Sequence, residues 1–123
     1  MAGAKSILVG YDGSEASQRA LDAAASLVGY GSTLAVINVS PEGQPVGRGP
    51  LAEARGRMLR RHVQASYLEQ VGDAAEQLVE TACSLGVDLL VVGRRRRALQ
   101  RLVLGSVSAQ VVRRAHCDVL VVR

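Results

Sequence analysis

Aromatic residues are scarce in this sequence of 123 residues, which contains three tyrosines and neither phenylalanine nor tryptophan. Proteins that bind single-stranded nucleic acids stack the bases on aromatic rings. A base-stacking surface is therefore nearly excluded. Hydrophobic residues make up 48% of the chain, and with so few rings we expect a core of valine, leucine, isoleucine and alanine.

Long apolar runs and clustered cysteines are also lacking. No apolar run approaches the roughly 20 residues that span a bilayer. The strand-like run that begins at Lys5 leaves no room for a signal peptide before it, and we expect a cytoplasmic protein. Cys83 and Cys117 do not have the spacing of metal ligands, and we expect two small, buried, reduced thiols.

Lysine is almost absent, because Lys5 is the one lysine among fifteen basic residues and the net charge is +4. Arginine binds phosphate through two parallel hydrogen bonds, but genome composition produces the same bias. The arginines fall into two groups. The first cluster lies on a predicted helix and consists of Arg55, Arg57, Arg60 and Arg61. For the last three, a solvated helix face is the default interpretation. The second cluster follows a predicted strand and consists of Arg94, Arg95, Arg96, Arg97 and Arg101.

Hydrophobic periodicity predicts five strands that alternate with four helices. The strand-like runs are 5–10, 33–39, 64–70, 87–92 and 118–122, and the helical runs are 14–28, 51–63, 74–85 and 105–115. Residues 40–50 hold or border all three prolines and are predicted to form the one long loop. The alternation predicts an α/β fold, with a parallel sheet covered by helices on both faces, and one domain over residues 1–123.

Ligands of open parallel sheets bind beyond the carboxyl ends of the strands, where the strand order reverses. Two segments should meet at such an edge: residues 10–13 after the first strand and residues 93–108 after the fourth. Gly93 would let a ligand approach the backbone closely. Gly105 and Ser106 open a helix whose free N–H groups favour an anion. Asp12 is a natural acceptor for ribose hydroxyls. The alternative, that Gly105 is a plain turn and Ser106 a plain cap, stays open.

Four segments together resemble the universal stress protein family. They are Ile-Leu-Val-Gly-Tyr-Asp-Gly-Ser at 7–14, Leu-Leu-Val-Val-Gly at 89–93, Leu-Val-Leu-Gly-Ser-Val-Ser at 102–108 and Cys-Asp-Val-Leu-Val-Val at 117–122. The resemblance implies a Rossmann-like fold of the adenine nucleotide alpha hydrolase type, with a five-stranded sheet of order 3-2-1-4-5. It also implies a cytoplasmic homodimer in which the last strands pair antiparallel. That dimer edge would comprise Val119, Leu120, Val121 and Val122.

Many members of this family bind ATP through a motif of three glycines. Two residues separate the first glycine from the second, nine separate the second from the third, and a serine or threonine follows the third. By resemblance, Gly93 matches its first glycine, and Gly105 with Ser106 matches its end. Asp12 matches the acid that holds the ribose and adenine, next to Gly10 and Tyr11, and Val39 borders the adenine. The backbone of Val107 and Ser108 would help to hold the phosphates. ADP, AMP and cyclic AMP remain alternatives to ATP, and the sequence does not tell whether a metal ion takes part.

The middle of the motif departs from the family pattern. Arg96 stands in place of the second glycine, and eight residues rather than nine separate it from Gly105. Either the Arg96 side chain fills the phosphate pocket and abolishes binding, or it points outward while Arg95 and its neighbours contact the phosphates.

Three functions follow from these patterns. The first is a regulatory stress protein that binds a nucleotide, and the second is a dimeric interaction module that binds none. The third, ranked lowest, is a nucleic-acid protein that uses the arginine clusters to bind phosphates alone. No constellation for catalysis is evident, so we expect no efficient enzyme, and slow ATP hydrolysis would be incidental.

Overall fold

The computed structural model describes residues 5–43, 48–94 and 106–123. Strands and helices alternate along the chain. The elements are β1 (Ser6–Gly10), α1 (Glu15–Leu27), β2 (Thr33–Ser40), α2 (Arg48–Arg60), β3 (Ser66–Val71), α3 (Ala74–Leu85), β4 (Leu89–Gly93), α4 (Ser106–Arg114) and β5 (Asp118–Val122). Within these described parts, no helix is long and apolar enough to cross a membrane.

The five strands form one parallel sheet of order β3-β2-β1-β4-β5. This confirms the predicted fold class and strand order. Between β1 and β4 the order reverses, since β1 continues to β2 on one side and pairs with β4 on the other. The carboxyl ends of β1 and β4 therefore meet at the place where ligands of such sheets bind.

Alternating residues of the central strands fill two separate cores. Ile7 and Val9 of β1 point to a cluster beneath α1 and α2 that includes Leu21 and Met58. Leu8, between them, points to the opposite cluster beneath α3 and α4. Each fully buried side chain of this kind stabilises the fold by about 1.5–3 kcal/mol. Tyr11 is the one aromatic residue in either buried set, which agrees with the aliphatic core expected from the composition.

The predicted helix caps are present at three helix ends. The Ser14 hydroxyl accepts a hydrogen bond from the Ser17 N–H at 3.2 Å and begins α1. The Asp73 carboxylate accepts from the Glu76 N–H at 3.0 Å and begins α3. Gly86 ends α3 in the left-handed conformation, with φ +63°. The polar caps satisfy N–H groups that the helix itself leaves without acceptors.

The predicted bounds of α2 are wrong at both ends. The helix begins at Arg48, three residues before the predicted start at Leu51, and Pro50 lies in its first turn. Proline loses no hydrogen bond there, because the first N–H groups of a helix have no acceptor within it. The helix ends at Arg60, because His62 turns left-handed with φ +57° and the Val63 N–H donates to the Met58 carbonyl at 2.9 Å. That bond completes a Schellman motif.

The expectation of two buried cysteines is wrong for one of them. Cys83 is exposed on α3, whereas Cys117 is half-buried and packs against the second core. Burial raises the pKa of the Cys117 thiol. An amphipathic helix tolerates a small thiol on its outer face, and Cys83 is such a case.

Candidate functional site

The loop of residues 11–14, here called the Asp12 loop, leaves β1 at the carboxyl edge of the sheet. Its first residue is fastened to β2 by two backbone groups. The Tyr11 N–H donates to the Ile37 carbonyl at 2.9 Å, and the Asn38 side-chain amide donates to the Tyr11 carbonyl at 2.9 Å. Since Asn38 is buried, the second bond is shielded from water and fixes the start of the loop.

Asp12 is exposed at this edge, and its conformation is set by its neighbours. Its Oδ1 accepts from the Ser14 N–H at 2.9 Å, and its own N–H donates to the Ser17 hydroxyl at 3.3 Å. Gly13 makes the turn between them with φ +87°, a conformation that glycine adopts without strain. The predicted acceptor for ribose hydroxyls therefore lies on a defined turn beyond β1.

The side chain of Tyr11 points away from the edge and into the first core, where only 2% of the residue is exposed. Its hydroxyl donates to Oε1 of Glu53 on α2. Burial, followed by the hydrogen bond to Glu53, raises the pKa of Tyr11 well above its ordinary value. The phenol therefore stays protonated and remains a donor, and only the backbone of Tyr11 is available at the edge.

The two glycines at the strand ends face protein rather than open space. A Cβ on Gly93 would lie 2.3 Å from the carbonyl oxygen of Ala16, in the first turn of α1. A Cβ on Gly10 would lie 3.1 Å from Cδ2 of Leu78 on α3. The sequence predicts that a ligand approaches the backbone closely at Gly93, and in the structure the backbone of α1 lies against this residue. This contact places the end of β4 directly beside the Asp12 loop.

The start of α4 lies beyond β4. Ser106 and Val107 are exposed, and Ser108 is buried in the first turn. The first N–H groups of such a helix have no acceptor within it and favour an anion. The Arg94 N–H donates to the Val122 carbonyl at 2.8 Å and continues the pairing of β4 with β5. The predicted site residues Arg95, Arg96 and Gly105 lie outside the described residues.

The carboxyl end of β2 holds Val39 between two buried polar residues, Asn38 and Ser40, which the sequence motifs do not single out. Val39 is half-buried and packs on the second core. Asn38 and Ser40 flank Val39, and the Ser40 hydroxyl donates to Oδ1 of Asn38 at 3.4 Å. The available signal was an asparagine inside an otherwise apolar strand, because a buried amide needs hydrogen-bond partners.

Three of the four arginines in the first cluster are engaged within the chain. Nη2 of Arg57 lies 2.9 Å from Oδ2 of Asp22 on α1, and Nη1 of Arg61 lies 3.6 Å from Oδ1. The Arg55 guanidinium stacks over the Tyr67 ring at 4.5 Å from its centroid. Arg57 and Arg61 stay partly exposed to solvent, as the sequence predicts, and they also pair with Asp22 and so join α2 to α1.

The predicted dimer edge is β5, which pairs with β4 on one side. Val119 and Val121 pack on the second core and Val122 on the first, whereas Leu120 is exposed. Within residues 5–43, 48–94 and 106–123, no group of three or more histidine, cysteine, aspartate or glutamate side chains is arranged to hold a metal ion.

Comparison with known proteins identifies the family. The family model for the universal stress protein family matches residues 3–123. A universal stress protein of Thermus aquaticus, encoded in the 3′ region of a QAH/OAS sulfhydrylase, is 35% identical over 135 residues, which cover 97% of this chain and 98% of the relative.

Solved structures agree in fold. A universal stress protein crystallised in complex with cAMP is 32% identical, with a TM-score of 0.79 over 98% of each chain. Protein Rv1636 from Mycobacterium tuberculosis H37Rv is 34% identical, with a TM-score of 0.71 over 100% of this chain and 98% of its own. With the family model over nearly its whole length, the chain belongs to the universal stress protein family.

Proposed function

We propose that this protein binds ATP or a related adenine nucleotide at the carboxyl edge of β1 and β4. The observation that carries the proposal is the exposed Asp12 on a fixed turn, at the point where the strand order reverses. The relative with 32% identity that was crystallised with cAMP supports an adenine nucleotide as the ligand.

The described residues fit such a ligand. The Asp12 carboxylate would accept hydrogen bonds from the ribose hydroxyls, and Val39 would border the adenine with aliphatic contacts. The N–H groups of Ser106, Val107 and Ser108 would face the phosphates, with the favourable end of the α4 dipole. Gly10 and Tyr11 contribute backbone beside Asp12, and Gly93 holds β4 against α1.

We further propose a regulatory, cytoplasmic protein of one domain that dimerises through β5 and does not catalyse efficient turnover. A nucleotide regulates a protein only through a difference in affinity between two of its states. Binding to nucleic-acid phosphates is less well supported, because Arg57 and Arg61 already pair with Asp22 and Arg55 stacks on Tyr67.

Calorimetric titration with ATP, ADP, AMP and cyclic AMP tests this function. The variant Asp12→Asn keeps Oδ1 for the Ser14 N–H but replaces an acceptor with a donor, so we expect affinity to fall at least about tenfold. Asp118→Asn makes the same change at the opposite end of the sheet and should bind as the wild type does. No heat of binding with any of the four nucleotides would refute the proposal.

The Arg96→Gly variant separates the two roles of that residue. It restores the glycine of the family motif. If the Arg96 side chain fills the phosphate pocket, the variant should bind ATP more tightly than the wild type. If the guanidinium contacts phosphate, the variant should lose affinity for ATP and keep its affinity for AMP more nearly unchanged. Native mass spectrometry of the purified protein would show whether a nucleotide is retained.

A further inference from the structure

Glu53 lies outside the family motif and yet contacts the residues around Asp12. It stands on α2, 42 positions beyond Tyr11 in the sequence, and its Oε1 accepts the Tyr11 hydroxyl. The same oxygen accepts from Nε2 of Gln18 on α1 at 3.2 Å. One carboxylate oxygen therefore joins α2 to both the Asp12 loop and the first helix.

Gln18, the second of these partners, also contacts the Asp12 loop, at the residue that follows Asp12. Nε2 of Gln18 also donates to the Gly13 carbonyl at 3.2 Å. Glu53 thus holds Tyr11 directly and Gly13 through Gln18, and Asp12 is the residue between them. Because both contacts act on residues that flank Asp12, together they restrain the turn that carries it.

The fold does not depend on these contacts alone. Tyr11 is already tied to β2 through its N–H and carbonyl, and its ring is buried in the first core. The Ser14 cap of α1 is also formed without Glu53. What Glu53 adds is a restraint on the turn from a third element, α2.

We propose that Glu53 is a positioning residue for nucleotide binding, which keeps Asp12 in its ligand-accepting place through Tyr11 and Gln18. The inference rests on the proposed function of the site. Without Glu53, the binding-competent turn becomes one of several conformations of the loop. The apparent affinity then falls in proportion to the fraction of molecules whose turn keeps the binding-competent conformation.

Three variants test this role by calorimetry with the nucleotide that the wild type binds. Glu53→Ala removes the shared acceptor, and we expect affinity to fall about tenfold, which corresponds to one competent molecule in about ten. Glu53→Gln keeps a carbonyl oxygen at the same place, and because both donors converge on one oxygen, it should bind within about twofold of the wild type. Glu80→Ala, an exposed glutamate on α3, is the matched control and should not change affinity.

Amide hydrogen exchange in the absence of ligand provides a readout that a loss of global stability would not mimic. Glu53→Ala should increase exchange at Asp12, Gly13 and Ser14 relative to the amides of β1 and β4, while Glu53→Gln and Glu80→Ala should not. Should Glu53→Ala fail to fold, Gln18→Ala removes the hydrogen bonds to Gly13 and Glu53 but leaves the bond between Tyr11 and Glu53, and it should show the same local increase in exchange and a weaker loss of affinity.

The outcomes separate the two proposals. If the wild type and Glu53→Ala bind the nucleotide equally well, the positioning role is refuted and the proposed function stays intact. Equal losses in Glu53→Ala and Glu53→Gln would also refute it, since the charge and not the acceptor would then matter. A wild type that binds none of the four nucleotides refutes the proposed function first and the positioning role with it.

Discussion

Gly93 shows how a single absent methyl group sets the geometry of the site. A Cβ there would lie 2.3 Å from the Ala16 carbonyl oxygen and 2.5 Å from its carbon, both of which are backbone atoms that cannot rotate away. We expect Gly93→Ala to separate β4 from α1 and to lower the free energy of unfolding by about 1–3 kcal/mol, the usual cost of overpacking. Urea denaturation measures this change.

Gly56→Ala is the control for that experiment. Gly56 lies inside α2, and the nearest atom to its added Cβ is the flexible end of Arg60 at 3.5 Å. Alanine is the better helix former by about 0.5–1 kcal/mol, so this variant should be more stable than the wild type. If Gly93→Ala were equally tolerated, Gly93 would not lie in close contact with the backbone of α1.

Tyr11 should make stability depend on pH above neutrality. Its folded-state pKa is raised, chiefly by burial, so the native state holds this proton more tightly than the unfolded chain does. The stabilisation is complete below the unfolded pKa of about 10 and is lost as the pH rises above it. We expect Tyr11→Phe to flatten this alkaline decline by up to about 1.4 kcal/mol per pH unit.

Chemical denaturation between pH 8 and pH 11 checks that slope. Tyr67, whose pKa burial also raises, remains in the variant, so part of the decline should persist. At neutral pH the same variant should lose about 1 kcal/mol, because Glu53 loses a donor. Identical slopes for the wild type and the variant would contradict the burial of the phenol.

These residues also mark the limit of what the sequence can predict about the site. It predicts Asp12 at the strand edge correctly, because turn residues directly follow an apolar strand. It could not reveal that α1 occupies the space above Gly93, nor that the Tyr11 ring turns inward. Both depend on which distant element packs there, and local pattern carries no information about that contact.

At the scale of the elements, the residue that follows α2 has a strained backbone conformation that a substitution can relieve. His62 adopts φ +57°, a conformation that costs a residue with a Cβ about 1–2 kcal/mol and glycine almost nothing. Since glycine also loses more entropy on folding, we expect His62→Gly to raise the free energy of unfolding by about 0.5–1 kcal/mol. The mirror variant Gly86→Ala, at φ +63°, should lower it by a similar amount. Thermal unfolding of both variants tests the pair, and a destabilised His62→Gly would show that the imidazole makes contacts of its own.

The contact between α1 and α2 rests partly on Asp22. This carboxylate pairs with Arg57 and Arg61, and each of the three side chains is about one-third exposed. Water screens such pairs, so we expect Asp22→Ala to lose about 0.5–1 kcal/mol of stability at low salt and less at about 1 M NaCl. Asp118→Ala removes a charge outside this contact and serves as the control. A loss that did not shrink with salt would contradict an electrostatic origin.

Helix and strand order follow from sequence periodicity, while the bounds of α2 do not. The run Arg48-Gly49-Pro50 has the composition of a loop, and its helical state depends on packing of later residues such as Ala54 and Met58 against the first core. Similarly, the sequence does not show that Arg57 and Arg61 of the first cluster pair with Asp22 on α1. Local propensity is a weak prior, and tertiary contacts decide both features.

At the scale of the whole molecule, the sheet has two edge strands of different character. β3 exposes Glu69 and Gln70 together with Val71, whereas β5 is apolar after its exposed first residue, Asp118, and presents Leu120. Charged and polar side chains discourage edge-to-edge pairing, and an apolar edge invites it. The edge of β3 therefore carries charged and polar side chains beside its exposed valine, and the more apolar edge of β5 is better suited to association.

This asymmetry predicts that β5 joins two copies of the chain. When the same strand of two copies pairs across a two-fold axis, the two strands run antiparallel and the same surface of each copy contacts that of the other. Leu120, 36% exposed, would then lie close to the partner's strand.

We expect the wild type to have twice the chain mass of 12.9 kDa by light scattering. Leu120→Lys should be a monomer, because two lysines would repel across the axis. Val71→Lys makes the same kind of change at an exposed position of β3 and should remain a dimer. A wild type of 12.9 kDa, or a Leu120→Lys variant that stays dimeric, would move the association away from β5.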